Sequence, residues 1–357
     1  MIKKLTTLSC LLVTAAVLVS GMTACRSTAD KELEASFRLN RHKKMNDKLF
    51  AEALRKGADP DLQMKNGSTP LIGAVIQNRP DHIQTLLDRG ADVNGCGTRN
   101  STPLQAAAGL GREKCIEILL KAGAKINTPG AFGRTPLMEA ARIGNIPVME
   151  KLLAAGAEIE ARDNEGRTPL MHAAKAPRNS LEAVKFLISK GADFKLFDSE
   201  GRTAIMHAAL LKHTDTALYL LTLHKDLSKR PGVALAIMYA AIKGNDIQLI
   251  KQLLEYGVPL NRSLSMVLRG TRALQIHGIY RILIRHALIS KGRMPLHWAA
   301  IENNLEIVKL LIENGADPLQ PDELGHCPDE LALKQSVIQY IRKEQKIMLQ
   351  KYHEMKE

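Results

Sequence analysis

The chain has 357 residues, enough for two or three ordinary domains, and 45% of them are apolar, which supplies a continuous core. Only 4% are aromatic, so that core is built mainly from alanine and aliphatic layers. The formal charge of +13 favours acidic partners or anionic surfaces without choosing among them, and the scattered cysteines exclude a zinc-ligand pattern.

Met1 to Ala24 opens with Lys3 and Lys4 and continues through a mostly apolar stretch from Leu5 to Val19, short for a membrane span. This is the pattern of a secretory signal peptide over residues 1–24. The run Ser20-Gly21-Met22-Thr23-Ala24-Cys25 resembles a bacterial lipoprotein cleavage site, which implies that Cys25 is the lipidated first residue. Ordinary cleavage after Ala24, with Cys25 left free, is the alternative. Acyl chains on Cys25 would hold the protein to a membrane surface, each buried methylene contributing about 0.8 kcal/mol. Loss of residues 1–24 removes two lysines and no acid, leaving a charge of about +11. Residues 25–35 then read as the lipidated cysteine and a polar tether.

From residue 36 the chain repeats itself. Thr69-Pro70-Leu71, Thr102-Pro103-Leu104, Thr135-Pro136-Leu137 and Thr168-Pro169-Leu170 recur with a step of 33 residues. A second marker, Gly-Ala-Asp or a close variant, keeps that step at Gly57, Gly90, Gly123 and Gly156. Two markers in register over a fixed period define a repeat architecture. Threonine caps a helix through its hydroxyl and proline suits the first helical position. Apolar residues then fall at helical spacing, as in Ile116, Leu119 and Leu120 or Val148, Leu152 and Leu153. One such unit cannot bury its own apolar face, so neighbours must stack.

These residues resemble the ankyrin repeat family, whose Thr-Pro-Leu-x-x-Ala-Ala and Gly-Ala-Asp elements recur here together. The resemblance covers residues 36–345 and implies an all-α solenoid of about ten helix-pair units carrying short β-hairpin fingers, with a polar C-terminal tail over 346–357. Cys96, Cys115 and Cys327 lie in the repeats. Cys96 and Cys115 fall at opposite ends of a helix pair, about 12–15 Å apart, beyond disulfide reach, so all three read as free and mostly buried.

After Gly201 the pattern degrades. The helix reaching Leu223-His224-Lys225-Asp226 has no glycine stop, and Leu235 begins the next unit without Thr or Pro. The string Ile289-Ser290-Lys291-Gly292 matches Ile188-Ser189-Lys190-Gly191 but passes straight to Arg293-Met294-Pro295-Leu296. One reading is that a finger has been deleted there. The rival takes Gly292 as the end of a long finger insertion after Gly257, which removes one unit from the count.

The family resemblance implies a non-catalytic protein-binding scaffold whose concave face is made of finger tips and first helices. The residue just before Ala-Ala, or its equivalent, runs Gly73, Ala106, Glu139, His172, His207, Tyr239 and Trp298. Partner contacts are therefore expected at Glu139, His172, His207, Tyr239 and Trp298, with Phe132, Arg162 and Asn164 from the fingers. Tyr239 and Trp298 either anchor a partner or pack on an adjoining helix. His172 and His207 read as polar wall residues, since two histidines on separate repeats lack the further ligands a metal needs.

A second candidate is electrostatic. No acid lies between Glu255 and Glu302, and Arg269, Arg272, Arg281, Arg285 and Arg293 fall there. Arginine forks recognise phosphate and carboxylate, so the stretch 257–293 either docks on lipid headgroups or cell-wall polymer, or is a solvated basic face. Nucleic acid fits the charge but not the export signal. No nucleophile elbow, phosphate loop or metal-ligand cluster is present, so neither a cofactor nor an enzymatic activity is expected. The sequence reading is a monomeric, exported protein at a bacterial envelope, on the periplasmic side, binding a protein partner.

Overall fold

A computed structural model describes residues 26–38, 46–269 and 291–355. The chain divides into two compact units, one ending at Ala131 and the other beginning at Phe132.

The first unit holds three helix pairs: α1 (Thr28–Ser36) with α2 (Asp47–Arg55), α3 (Pro70–Ile76) with α4 (Pro80–Asp88), and α5 (Pro103–Leu110) with α6 (Glu113–Lys121). The polar tether expected up to residue 35 is instead mostly helix α1. Ser27 starts it with a capping box: its hydroxyl accepts from the Asp30 N–H at 3.0 Å, and the Asp30 carboxylate accepts from the Ser27 N–H at 3.1 Å. Leu33 on α1 is fully buried, which makes this helix part of the opening pair. The Thr69 and Thr102 hydroxyls cap α3 and α5 as their sequence position requires. Phe37, edge-on to Phe50 on α2, lies over the backbone of Gly73. A Cβ at Gly73 would come within 2.7 Å of that ring, so the small residue at this first-helix position is a packing requirement.

The second unit continues with α7 (Pro136–Ile143), α8 (Ile146–Ala154), α9 (Pro169–Ala174), α10 (Ser180–Ser189), α11 (Ala204–Leu210) and α12 (Thr214–Leu223). Then come α13 (Pro231–Lys243), α14 (Ile247–Glu255), α15 (Leu264–Arg269), α16 (Pro295–Ile301), α17 (Leu305–Glu313), α18 (Pro328–Leu331) and α19 (Gln335–Glu354). The expected polar tail is thus largely the end of α19. Among the described residues the fingers are hydrogen-bonded turns, with one isolated bridge between Phe197 and Thr203 and no strand.

Successive units are tied by a repeated bond. The residue two places after a helix-stop glycine donates its backbone N–H to the side chain four places after the preceding stop. Asp92 donates to Asp61 at 2.9 Å and Lys125 to Asn94 at 2.8 Å in the first unit. Asp193 donates to Glu160 at 2.7 Å in the second. The next such bond runs from Asp317 to Asn261 at 2.8 Å, and Asn261 also donates to the Gly315 carbonyl. The α13/α14 pair is therefore the direct neighbour of α16/α17, a contact reinforced by Asn304 to Asn245 at 2.6 Å.

This decides between the two readings of Gly292. Helix-stop glycines Gly57, Gly123, Gly156, Gly191 and Gly315 are each followed ten residues later by a second left-handed glycine at the finger tip: Gly67, Gly133, Gly166, Gly201 and Gly325. Gly292, at φ 72°, is such a tip. The Lys291 carbonyl beside it accepts from the Glu323 N–H at 3.0 Å, as Glu165 accepts from Ser199 at 2.8 Å. Gly292 is not a helix stop, and no finger was deleted there. It closes a finger that began after Gly257 and carries an insertion including α15.

A finger is missing elsewhere. Between α12 and α13 the chain makes only a 3-10 turn at Leu227–Lys229, and Pro231 starts α13 earlier than Leu235, the expected beginning of the unit. Deleting residues 265 to 289 restores the spacing of ten between Gly257 and Gly292. The shortened protein is expected to stay helical and to melt cooperatively within about 4 °C of the parent, a cost near 1 kcal/mol. Loss of cooperative melting in circular dichroism would show that the segment is part of the stack.

Candidate functional site

Where that finger is absent, the first helices lie uncovered. A cleft of about 360 Å³ opens there, between the finger around Gly201 and the one ending at Arg293. Its walls are Met206 and Leu210 from α11, Ala236, Tyr239 and Ala240 from α13, Trp298 and Ile301 from α16, and Leu264 from α15. The two alanines leave the room that larger residues would fill. Tyr239 is 37% exposed and packs edge-on against Trp298, with ring centroids 5.2 Å apart. Trp298 is 5% exposed, and its indole nitrogen is buried without a hydrogen-bond partner. Tyr239 and Trp298 thus both pack on an adjoining helix and line a cleft, joining the two alternatives that the sequence left open.

The charged residues of the rim are paired within the chain. Arg202 bonds Asp198 at 3.0 Å and Glu200 at 2.9 Å, Lys243 bonds Glu302 at 2.5 Å, and Arg293 lies 3.5 Å from Asp322.

His172 and His207, expected on the wall, are buried at 3% exposure. Each ring is joined through Nε2 to an aspartate nine residues earlier, Asp163 and Asp198, at 2.9 Å. Each aspartate also accepts two backbone N–H groups of its own finger, from Glu165 and Arg167 or from Glu200 and Arg202, all at 2.9 Å. These histidines brace a finger to its first helix, because burial demands that the imidazole be paired. The signal was legible: an aspartate stands nine places before both histidines, whereas Arg230 and Ile289 stand nine places before Tyr239 and Trp298.

Burial alone would raise the Asp198 carboxyl, but the bonds from His207 and the Arg202 backbone outweigh it and hold the group at about 2. Burial pushes His207 below its ordinary value against the pull of that carboxylate.

Glu139 is held between Arg134 at 3.0 Å and Arg142 at 2.9 Å, so its charge is already neutralised. Phe132 is 59% exposed on a finger, in a left-handed conformation, with the Arg134 guanidinium 5.0 Å from its ring centre. Its carbonyl accepts from the Asn164 N–H at 3.0 Å, so these two finger residues are neighbours. Arg162 is exposed but ties two fingers, donating to the Gly166 and Phe197 carbonyls at 3.0 and 2.8 Å.

Of the basic set, Arg269 ends α15, Arg272, Arg281 and Arg285 lie outside the described residues, and Arg293 stands at the cleft beside Asp322. Cys25 also lies outside them. Cys115 is buried as expected, but Cys96 is exposed and Cys327 half-buried, and all three are free. Among the described residues no helix is long and apolar enough to cross a membrane.

Stacked helix pairs closed by left-handed turns, with first helices presented beside the fingers, define a helical repeat protein. A family model described as ankyrin repeats (3 copies) matches residues 41–130, 137–231 and 231–322. The chain belongs to the ankyrin repeat family. It is also similar to curated proteins named mitochondrial disaggregase. The cattle (Bos taurus) protein is 30% identical over 118 residues, covering 30% of this chain and 17% of that one. The rat (Rattus norvegicus) protein is 37% identical over 71 residues, covering 18% and 10%. The chain therefore spans less than a fifth of the length of these relatives.

Asp198, with its carboxyl held low, stabilises the fold above its ordinary value near 3.8, and this contribution is lost as pH falls towards about 2. The variant D198N is expected to be less stable than the parent by about 2 kcal/mol near neutrality. That gap should close between pH 4 and 2 in urea titrations. A gap independent of pH would assign the loss to shape alone.

Proposed function

We propose that this chain is a non-catalytic scaffold that binds a protein partner at a bacterial cell envelope, exported by residues 1–24 and held to a membrane through lipid on Cys25. Partner binding is the general role that the ankyrin repeats support. The observation that carries the choice of site is the exposed Tyr239 stacked on Trp298 in an apolar cleft, at the place where a finger is missing. Large aromatic side chains in such a setting are the usual energetic centres of protein interfaces. The finger residues Phe132, Arg162 and Asn164 are secondary contacts on this reading, while His172, His207 and Glu139 serve the repeat itself. The protein acts as a monomer, its repeats presenting one surface to one partner.

The test is a pull-down from envelope extract with the chain from Arg26, washed at low salt and at about 1 M salt, where charge interactions beyond about 3 Å are screened. A discrete protein should remain through the high-salt wash. Y239A should weaken its retention at least ten-fold, the range of a contact worth about 2 kcal/mol. Release of all bound material at high salt, with lipid or polymer recovered at low salt, would instead assign binding to the basic stretch.

A further inference from the structure

We propose that the cleft takes an uncharged, apolar, extended segment of the partner, laid along α13, with a main-chain carbonyl accepting from the Trp298 indole N–H. The inference rests on the scaffold reading above and adds the chemistry of what is bound.

Three observations lead there. Buried polar groups are nearly always paired, and the Trp298 indole nitrogen is buried without a partner on a residue that lines the cleft. An occupant that brings an acceptor completes it. Next, the charged groups of the rim already hold one another: Arg202 with Asp198 and Glu200, Lys243 with Glu302, and Arg293 beside Asp322. A charged ligand would have to break those pairs and lose its own water, whereas an apolar one meets Met206, Leu210 and Ile301 without that cost. Finally, the lining follows α13 from Ala236 to Lys243, which is about 10 Å by the helical rise. An extended segment of about three residues covers that length and offers a carbonyl at every residue. A single small acceptor group would have to be placed at one point.

The test uses the full chain in a lipid nanodisc to select from a displayed library of random linear peptides at about 1 M salt. Selected peptides are then synthesised and titrated. Trp298 is the only tryptophan in the chain, so its emission reports occupancy of this cleft directly. The expected result is enrichment of uncharged apolar peptides that shift the emission and bind equally well at low and high salt. Y239A, an exposed position, should weaken them at least ten-fold. W298F, which keeps a ring and removes the N–H, should weaken them about five-fold by calorimetry.

Selected peptides rich in charge, with affinity falling as salt rises, would overturn the inference. So would peptides indifferent to both substitutions, which would leave the scaffold reading intact and move the site. Self-association of the chain that Y239A abolishes would give the cleft to a second copy and sink the proposal. Failure to select any peptide, while the pull-down retains a folded partner, overturns the inference alone; failure of both experiments removes the scaffold reading as well.

Discussion

One bond sets the register of the stack: the backbone N–H just past a helix-stop glycine, given to a side-chain oxygen of the preceding turn. A turn that reverses a helix leaves backbone donors without partners, and a buried or half-buried donor must be satisfied. Asp61, Asn94, Glu160 and Asn261 supply the oxygen. Each unit thus depends on its predecessor for a polar partner as well as for apolar cover. Lys195, at the corresponding place after Gly191, has no acceptor to offer. The regular finger pattern fails in the unit that follows.

The cleft follows from that failure. With no finger before α13, the tips at Gly201 and Gly292 flank a gap, and the helix exposed in it carries Ala236 and Ala240 instead of bulk. The two neighbouring histidines hold their own fingers through Asp163 and Asp198. Tyr239 and Trp298 occupy the same position in their units but have no such aspartate, and they turn to one another. The same helical position therefore stabilises a repeat in one place and presents an aromatic surface in another.

Much of this was legible from the residues. Thr-Pro-Leu and Gly-Ala-Asp placed the regular helix pairs, because capping and left-handed stops are local chemistry. What failed was local resemblance without spacing. Ile289-Ser290-Lys291-Gly292 copies a helix stop letter by letter, yet only the ten-residue interval between stop and tip glycines distinguishes the two kinds of turn. Ser27 and Asp30 signalled α1, but a short polar segment reads as tether until Leu33 finds its cover. The cleft itself was beyond the sequence, since it depends on which finger is absent between units that lie 59 residues apart at Asn245 and Asn304.

The insertion after Gly257 has both ends secured, by Asn261 on Asp317 and by Lys291 on Glu323. Whatever lies between those pins can change in length or composition without disturbing the helices on either side, since extending a closed loop costs little: each doubling adds about 0.6 kcal/mol. Sequence drift among descendants of this protein should therefore concentrate in that segment. Because the segment begins and ends at the edge of the cleft, such drift would retune which partner is admitted while the supporting repeats stay under constant selection for fit.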